Sequence, residues 1–203
     1  MDAEEIKQVP YGVSDFRSVR EDHLYYVDKT MYLPLLESQP CNLFFIRPRR
    51  FGKSLFISMM QTYYDKAMAE EFDNLFGDLW IGQHPTRLKN RYQVLYLDFS
   101  RAGGHMERFE ENFNTYCCGR INQFIKQYRS DYPEEDVQQI LQSKQAVEKL
   151  NLIHDVAKQL RIPLYLIIDE YDNFTNIVLN EQGEAVYRAI TWKNRSMLLH
   201  HLS

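Results

Sequence analysis

The sequence predicts an α/β fold in which a parallel β-sheet is covered by helices on both faces. Three short apolar runs are predicted to be buried strands: residues 42–47 (NLFFIR), 94–99 (VLYLDF) and 164–169 (LYLIID). Segments with helical periodicity separate these runs along the chain. Strands that are apolar along their whole length, with helices between them, are typical of a parallel sheet that is buried on both sides.

The helical segments follow in order. Apolar residues at helical spacing from residue 55 to residue 64 predict a helix that begins at or near Gly52. Residues 70–82 are expected to form a helical turn or two and then a loop punctuated by glycine. A long amphipathic helix is predicted over 109–128, and one or two more over 137–160, with Ser143 as a possible internal cap.

Composition excludes several classes of protein. Of the 203 residues, 26% are charged, and the net charge of -4 argues against a broad nucleic-acid-binding surface. No apolar run approaches the roughly 18 residues of a membrane span, and the acidic first five residues do not resemble a signal peptide. Cys41, Cys117 and Cys118 are expected to be reduced thiols, the adjacent pair being ordinary helix residues. We therefore expect a cytoplasmic protein that does not enter a membrane.

The segment after the first strand, residues 46–54 (IRPRRFGKS), ends like a phosphate-binding loop, or P-loop. Gly52 would let the backbone approach phosphates, Lys53 would reach the β- and γ-phosphates, and the Ser54 hydroxyl would ligate Mg²⁺. The N-terminus of the following helix adds N–H donors and the positive end of the helix dipole. However, Arg47 stands where such a loop usually has its first glycine, and a lone GK[ST] is common by chance.

A second feature supports the P-loop hypothesis. The third predicted strand ends in Asp169 and Glu170. In P-loop ATPases an aspartate at this place holds Mg²⁺, and a following glutamate polarises the attacking water. Parallel strands end at one edge of a sheet, so Asp169 and Ser54 are expected to lie within reach of a shared metal ion. The alternative is that Asp169 and Glu170 only cap the strand and begin a solvated turn.

These motifs resemble the AAA-ATPase-like family, whose members often carry a C-terminal PD-(D/E)xK nuclease-like domain. The resembling stretches lie in order within residues 6–187: PYGVSDFRSVREDHLYYVDKT, LFFIRPRRFGKSL, LFGDLWIG, YQVLYLDFS and LYLIIDEYDNFTNIVL. In that family the arginine-rich loop is the normal form, so Arg47 is no defect. The resemblance implies a P-loop NTPase core with ATP and Mg²⁺ as ligands.

The resemblance also implies roles for particular residues. The expected nucleotide contacts are Arg49, Arg50, Phe51, Gly52, Lys53, Ser54 and Leu55. Metal contact is implied for Ser54 and Asp169, and catalysis for Glu170. Arg49 and Arg50 suit carboxylates as well as phosphates, so ion pairs with Asp or Glu are the alternative for them.

Further candidates have competing structural roles. Asp98, at the end of the second strand, could support the magnesium site or cap a loop, and the loop role is favoured. Tyr11, Phe16, Asp28 and Lys29 precede the first strand, where such ATPases often wrap the adenine. An aromatic segment of this kind is more often part of a core.

The resemblance to the family ends near Thr191. We therefore expect a C-terminally incomplete ATPase domain over residues 1–191 and a divergent tail over 192–203, in either a truncated chain or a natural short form. ATPases of the resembled type order their strands 5-1-4-3-2, and strand 4 would follow Asp169 in the chain. Its absence would leave sheet edges unpaired, so we expect marginal stability and weak or absent hydrolysis in this chain.

Three functions follow as alternatives. The chain is an ATPase domain, a nucleotide-binding module that does not hydrolyse ATP, or an inactive fragment that serves as an interaction scaffold. ATP is the expected small-molecule partner. A protein partner or a second copy could bind at unpaired sheet edges, whereas nucleic acid would be engaged only through the absent nuclease-like domain.

Overall fold

The computed structural model describes residues 7–39, 43, 51–102 and 108–170, which form a helix-rich α/β fold with a small parallel sheet. The α-helices are α1 (Phe16–Glu21), α2 (Leu33–Glu37), α3 (Lys53–Tyr64), α4 (Phe72–Phe76), α5 (Trp80–Gln83), α6 (Phe109–Gln127), α7 (Glu134–Gln142) and α8 (Ala146–Leu160). The strands β1 (Gln93–Asp98) and β2 (Leu164–Asp169) are hydrogen-bonded neighbours. Short 3-10 turns occupy Thr30–Tyr32, Lys66–Glu71, Phe99–Ala102 and Arg129–Asp131.

Most of the predicted elements are confirmed. The helix after Gly52 is α3, the second and third predicted strands are β1 and β2, and the long amphipathic helix is α6. The last helical region forms two helices, because α7 ends at Ser143 and α8 begins at Ala146. The predicted first strand, residues 42–47, lies outside the described residues apart from Leu43.

The chain divides into two compact units: Met1–Val94 with Ala157–Ile167, and Leu95–Val156 with Ile168–Ser203. The core of the first unit is built around the buried face of α3. Met59 and Tyr63 of this helix are fully buried among aromatic side chains, and Tyr63 meets Phe76 edge to face at 5.6 Å. Burial of an aromatic side chain contributes on the order of 2 kcal/mol. This packing fixes α3, and with it the position of Lys53.

A polar contact also ties α1 to α3. Asp15 caps the start of α1 by accepting a hydrogen bond from the Ser18 N–H, at 2.8 Å. Its other carboxylate oxygen accepts from the Ser58 hydroxyl, at 3.1 Å, and that hydroxyl accepts from the Phe16 N–H, at 2.9 Å. Because Ser58 lies one turn after Ser54, the N-terminal segment is anchored beside the first turns of α3.

In the second unit, α6 contacts α7, and the buried side chains of α6, α7 and α8 include Cys117, Ile121, Ile140 and Ile153. Lys149 is buried as well, and its ammonium group donates to the carbonyl oxygens of Ile140 and Leu141 at the end of α7. These bonds satisfy carbonyls that have no partner within the helix itself.

The cysteine pair on α6 consists of ordinary helix residues, as predicted. Burial, with a smaller contribution from Cys118, raises the pKa of the Cys117 thiol to about 11. Since the thiolate is the reactive form, this shift and the burial of the side chain lower the reactivity of Cys117 at neutral pH.

One edge of β1 is joined to β2, and other groups cover the opposite edge. On the β2 side, the Gln93 N–H donates to the Pro163 carbonyl at 2.9 Å. Just before the strand, the backbone N–H and carbonyl of Tyr92 face away from β2. The N–H donates to the Tyr64 carbonyl, and the carbonyl accepts from the Lys66 N–H. Successive residues of a strand alternate in direction, so Tyr96 and Asp98 share the direction of Tyr92.

Side chains of α6 complete this covering. The Arg120 guanidinium donates to the Tyr96 carbonyl at 3.2 Å, and the Tyr116 hydroxyl accepts from the Asp98 N–H at 2.8 Å. A strand that added to this edge would have to displace these groups, so the outer edge of β1 is protected from the self-association expected of open edges.

Across the described part of the chain, no helix combines the length and the apolar character that a membrane span requires.

Candidate functional site

A left-handed glycine stands at the N-terminus of α3. Gly52 precedes the helix with a left-handed backbone, φ 75° and ψ 26°, and its carbonyl accepts the N–H of Phe56 at 3.0 Å. A Cβ at this position would meet nothing within 4 Å, so the need for glycine is conformational and not steric. Gly52 has no side chain to cap the helix, and the N–H groups of a first helical turn favour an anion.

The side chains of this turn divide between surface and core. Phe51 is 62% exposed, whereas Lys53 and Ser54 are half-buried. Leu55 packs against the core of the first unit and anchors the turn. An ammonium group, a hydroxyl and helix N–H groups together form a donor set that suits a phosphate chain. Arg49 and Arg50, the other expected nucleotide contacts, lie outside the described residues.

Asp169 is the last residue of β2, and it is buried, with 3% of its surface exposed. One carboxylate oxygen accepts from the Glu170 N–H at 2.9 Å. The other faces the Tyr96 hydroxyl at 3.4 Å. A buried carboxylate is costly unless hydrogen bonds compensate it, and these two contacts hold the group in one orientation.

The surroundings keep Tyr96 in its neutral form. Burial raises the pKa of Tyr96 well above the ordinary value, and the negative charges of Asp169 and Asp98 raise it further. The phenol therefore keeps its proton at neutral pH and can donate it in a hydrogen bond.

Glu170 follows Asp169 with a left-handed backbone, φ 54°. This conformation is unfavourable for a residue with a Cβ, by about 1–2 kcal/mol. Strained residues of this kind cluster at functional sites. Glu170 is half-buried, at the carboxyl end of a parallel strand, where α/β proteins place their ligands.

Asp98 caps the loop after β1, the role favoured for it from the sequence. One of its carboxylate oxygens accepts from the Ser100 N–H at 3.0 Å and from the Ser100 hydroxyl at 2.6 Å. The other forms an ion pair with Arg101 at 3.2 Å. Asp98 and Asp169 are the last residues of neighbouring parallel strands, so two carboxylates lie at the carboxyl-terminal end of the sheet.

The candidates for adenine contact fall into different environments. Phe16 is fully buried and stacks on Phe76 at 4.8 Å, so it belongs to the core and is no platform for a base. The Asp28 carboxylate accepts hydrogen bonds from the N–H and hydroxyl of Thr30 and from the N–H of Trp80. Tyr11 is 98% exposed, and it stays a candidate.

The structure thus assembles two groups of predicted residues. Gly52, Lys53, Ser54 and Leu55 form one turn in the first unit, and Asp169 and Glu170 end a strand in the second. The distance between Ser54 and Asp169 stays a prediction. No sequence motif points to Tyr96, and its one signal is its place two residues before Asp98 on a neighbouring strand.

Comparison with known proteins identifies a family for the chain. A family model described as AAA-ATPase_like, "Predicted AAA-ATPase", matches residues 10–200. The match runs past Thr191, and the boundary between domain and tail stays a prediction. A protein of Azotobacter chroococcum mcd 1, described as "Uncharacterized protein in vnfD 5'region", is 47% identical over 59 residues, 29% of this chain.

That segment spans 11% of the Azotobacter protein. No solved structure matches the chain. The family model covers nearly the whole sequence, and the chain therefore belongs to the AAA-ATPase-like family of predicted AAA-ATPases.

Proposed function

We propose that this protein is a P-loop ATPase domain that binds ATP with Mg²⁺ and carries the residues that hydrolyse it. The observation that carries the proposal is the start of α3, where a left-handed Gly52 leads into Lys53 and Ser54. Membership of a family of predicted AAA-ATPases supports it independently.

The triphosphate would lie at the N-terminus of α3. Backbone N–H groups of the first turn and the positive end of the helix dipole favour an anion there. Lys53 would neutralise the β- and γ-phosphates, and Arg49 and Arg50 would add charge-assisted hydrogen bonds. The packing of α3 against its core would keep these donors in place before the nucleotide arrives.

The oxygen ligands that the two motifs offer suit a magnesium ion. Mg²⁺ prefers oxygen ligands and is commonly held by one or two protein groups together with phosphates and water. The Ser54 hydroxyl and the Asp169 carboxylate are ligands of this type, and Asp169 is held in one orientation by Glu170 and Tyr96. When bound, the ion would neutralise charge that develops on the phosphates.

Glu170 would act as the general base that orients and polarises the attacking water. It immediately follows the proposed metal ligand, and its left-handed backbone sets the direction in which its side chain leaves the strand. A strained conformation at this point fits a residue that is selected for function and not for stability.

The sheet supports a P-loop core. In the order 5-1-4-3-2, strand 3 carries the metal-binding aspartate and pairs with strand 2. Here β2 ends in Asp169 and is hydrogen-bonded to β1, the preceding strand of the chain. The strand of the P-loop itself falls outside the described residues.

Phosphate release tests the hydrolytic part of the proposal. Wild-type protein with Mg-ATP should release phosphate, at the low rate expected from the sequence, and Glu170→Gln should reduce that rate by roughly 10²–10⁴-fold while nucleotide binding is retained. Glu135→Gln, an exposed residue of α7, serves as the matched control and should match wild type.

Two results would contradict hydrolysis by Glu170. Equal rates for wild type and Glu170→Gln would show that the measured phosphate does not come from this site. Tight Mg-ATP binding without release would favour the nucleotide-binding module that does not turn over.

A further inference from the structure

We infer that Tyr96 is a positioning residue for Asp169, whose carboxylate it orients toward the metal ion of the bound nucleotide. The inference rests on the proposed function, because it concerns the same site. Tyr96 lies on β1, whereas Asp169 ends β2, so the contact joins the two strands near their carboxyl ends.

The geometry leaves each oxygen of Asp169 facing a donor. The Glu170 N–H lies 2.9 Å from one oxygen, and the Tyr96 hydroxyl lies 3.4 Å from the other. A carboxylate oxygen has two lone-pair sites, so each can also face a metal-bound water. Together the two donors restrict rotation of a side chain that is almost fully buried.

The distance of 3.4 Å is longer than the ~2.7–2.8 Å of a strong O–H···O bond. Hydrogen bonds in active sites are often long in the ligand-free protein and tighten in the substrate complex. We therefore assign to Tyr96 a bond that strengthens when nucleotide and metal bind, which is where a positioning residue acts.

Helix α6 fixes the strand on which Tyr96 lies. Arg120 donates to the Tyr96 carbonyl, and Tyr116 accepts from the N–H of Asp98, two residues further along. Arg120 is itself held by Gln123, with 2.8 Å between guanidinium and amide oxygen. The backbone at Tyr96 is thus located independently of the Asp169 contact.

The chemistry of the hydroxyl fits this role. The phenol hydroxyl is the group that faces the Asp169 carboxylate, at 3.4 Å, so it supplies the donor of this contact. A phenylalanine would keep the ring and lose only the donor.

The test compares the Mg²⁺ dependence of ATP binding in the full 203-residue chain of three proteins: wild type, Tyr96→Phe and Tyr116→Phe. Tyr96→Phe should raise the Mg²⁺ concentration for half-saturation roughly tenfold, because a hydrogen bond to a charged group is lost. Tyr116→Phe removes the same atom from a residue whose hydroxyl accepts from the Asp98 N–H, so its half-saturation should stay close to that of wild type.

The readout separates positioning from a structural role. Both variants lose a hydroxyl hydrogen bond and should lose similar thermal stability, but only Tyr96→Phe should change the Mg²⁺ dependence. Tyr96→Met, which keeps an apolar side chain of similar length, replaces Tyr96→Phe if that protein lacks native far-ultraviolet circular dichroism, with the same shift expected.

Two outcomes would overturn the inference, and they are distinguishable. Wild type that binds Mg-ATP, together with a Tyr96 variant of unchanged half-saturation, would overturn the role of Tyr96 alone. Wild type that binds no Mg-ATP at all would overturn the proposed function, and the role of Tyr96 with it.

Discussion

Gly52 and Glu170 share a left-handed backbone but have different side chains. Glycine adopts this conformation without strain, whereas glutamate pays about 1–2 kcal/mol for it. At Gly52 the conformation turns the chain into α3, and at Glu170 it places a carboxylate after the buried Asp169. Both residues belong to the candidate site, which is where local preference and function are expected to diverge.

Substitution of Gly52 should separate conformational cost from binding. Gly52→Ala should lower the free energy of unfolding by about 1–2 kcal/mol and abolish measurable ATP binding, since the altered turn no longer presents its N–H groups to phosphate. Gly12 has the same φ of 75° and the same empty surroundings, so Gly12→Ala should cost similar stability and leave ATP affinity intact. Denaturant unfolding and calorimetric titration measure the two effects.

An unchanged ATP affinity in Gly52→Ala would contradict a phosphate site at the start of α3. Equal losses of affinity in both alanine variants would show that reduced stability, and not the turn, weakens binding.

At the scale of single elements, hydrophobic periodicity predicted those helices and strands whose formation depends on local sequence. The helix α3 and the strand β2 were predicted because their apolar residues repeat at helical spacing or form one continuous run. The helices α1 and α2 were not predicted, because each has no more than six residues and depends on tertiary contacts. The cap that Asp15 shares with Ser58 is such a contact.

Alanine substitutions at two glycines inside helices should change the free energy of unfolding in opposite directions. Gly119 lies exposed within α6, and a Cβ there would meet nothing within 4 Å. Gly119→Ala should therefore raise the free energy of unfolding by roughly 0.5–1 kcal/mol. In α5, a Cβ on Gly82 would lie 1.9 Å from the Phe76 carbonyl oxygen, so Gly82→Ala should destabilise the protein.

Thermal unfolding of the two alanine variants checks this contrast. A stabilised Gly82→Ala, or a strongly destabilised Gly119→Ala, would contradict the packing described for α5 and α6.

At the scale of the whole molecule, the burial of tyrosine side chains makes the free energy of unfolding depend on pH in the alkaline range. Among the residues that the structure describes, burial is the main cause that raises the pKa of seven tyrosines above the ordinary value near 10: Tyr26, Tyr63, Tyr64, Tyr96, Tyr116, Tyr132 and Tyr165. Below pH 10 these groups are protonated in both the folded and the unfolded chain. Above it, the unfolded chain loses protons that the folded chain retains.

The free energy of unfolding should therefore be independent of these groups below about pH 9. It should fall as the pH rises past 10, by on the order of 1 kcal/mol per pH unit for each well-buried tyrosine. Denaturant unfolding at a series of pH values measures the slope, and phenolate absorbance reports ionisation. Full phenolate absorbance in a chain that is still folded would contradict the described burial.

The site as a whole was only partly predictable from the sequence. Lys53, Ser54, Asp169 and Glu170 stood out because each follows an apolar run in a short motif. Tyr96 did not, because its partner Asp169 lies 73 residues away and only the pairing of β1 with β2 brings the two together. Contacts of this kind depend on the register of the sheet, which no local pattern specifies.

The central claim is that the turn from Gly52 to Leu55 binds a nucleoside triphosphate. Calorimetric titration of Mg-ATP into wild type and Lys53→Ala tests it most directly, with Lys126→Ala, an exposed lysine in the last turn of α6, as the matched control. Wild type and Lys126→Ala should bind with equal affinity, and Lys53→Ala should show no measurable binding while its circular dichroism spectrum stays native. Equal affinity in Lys53→Ala and wild type would contradict the account.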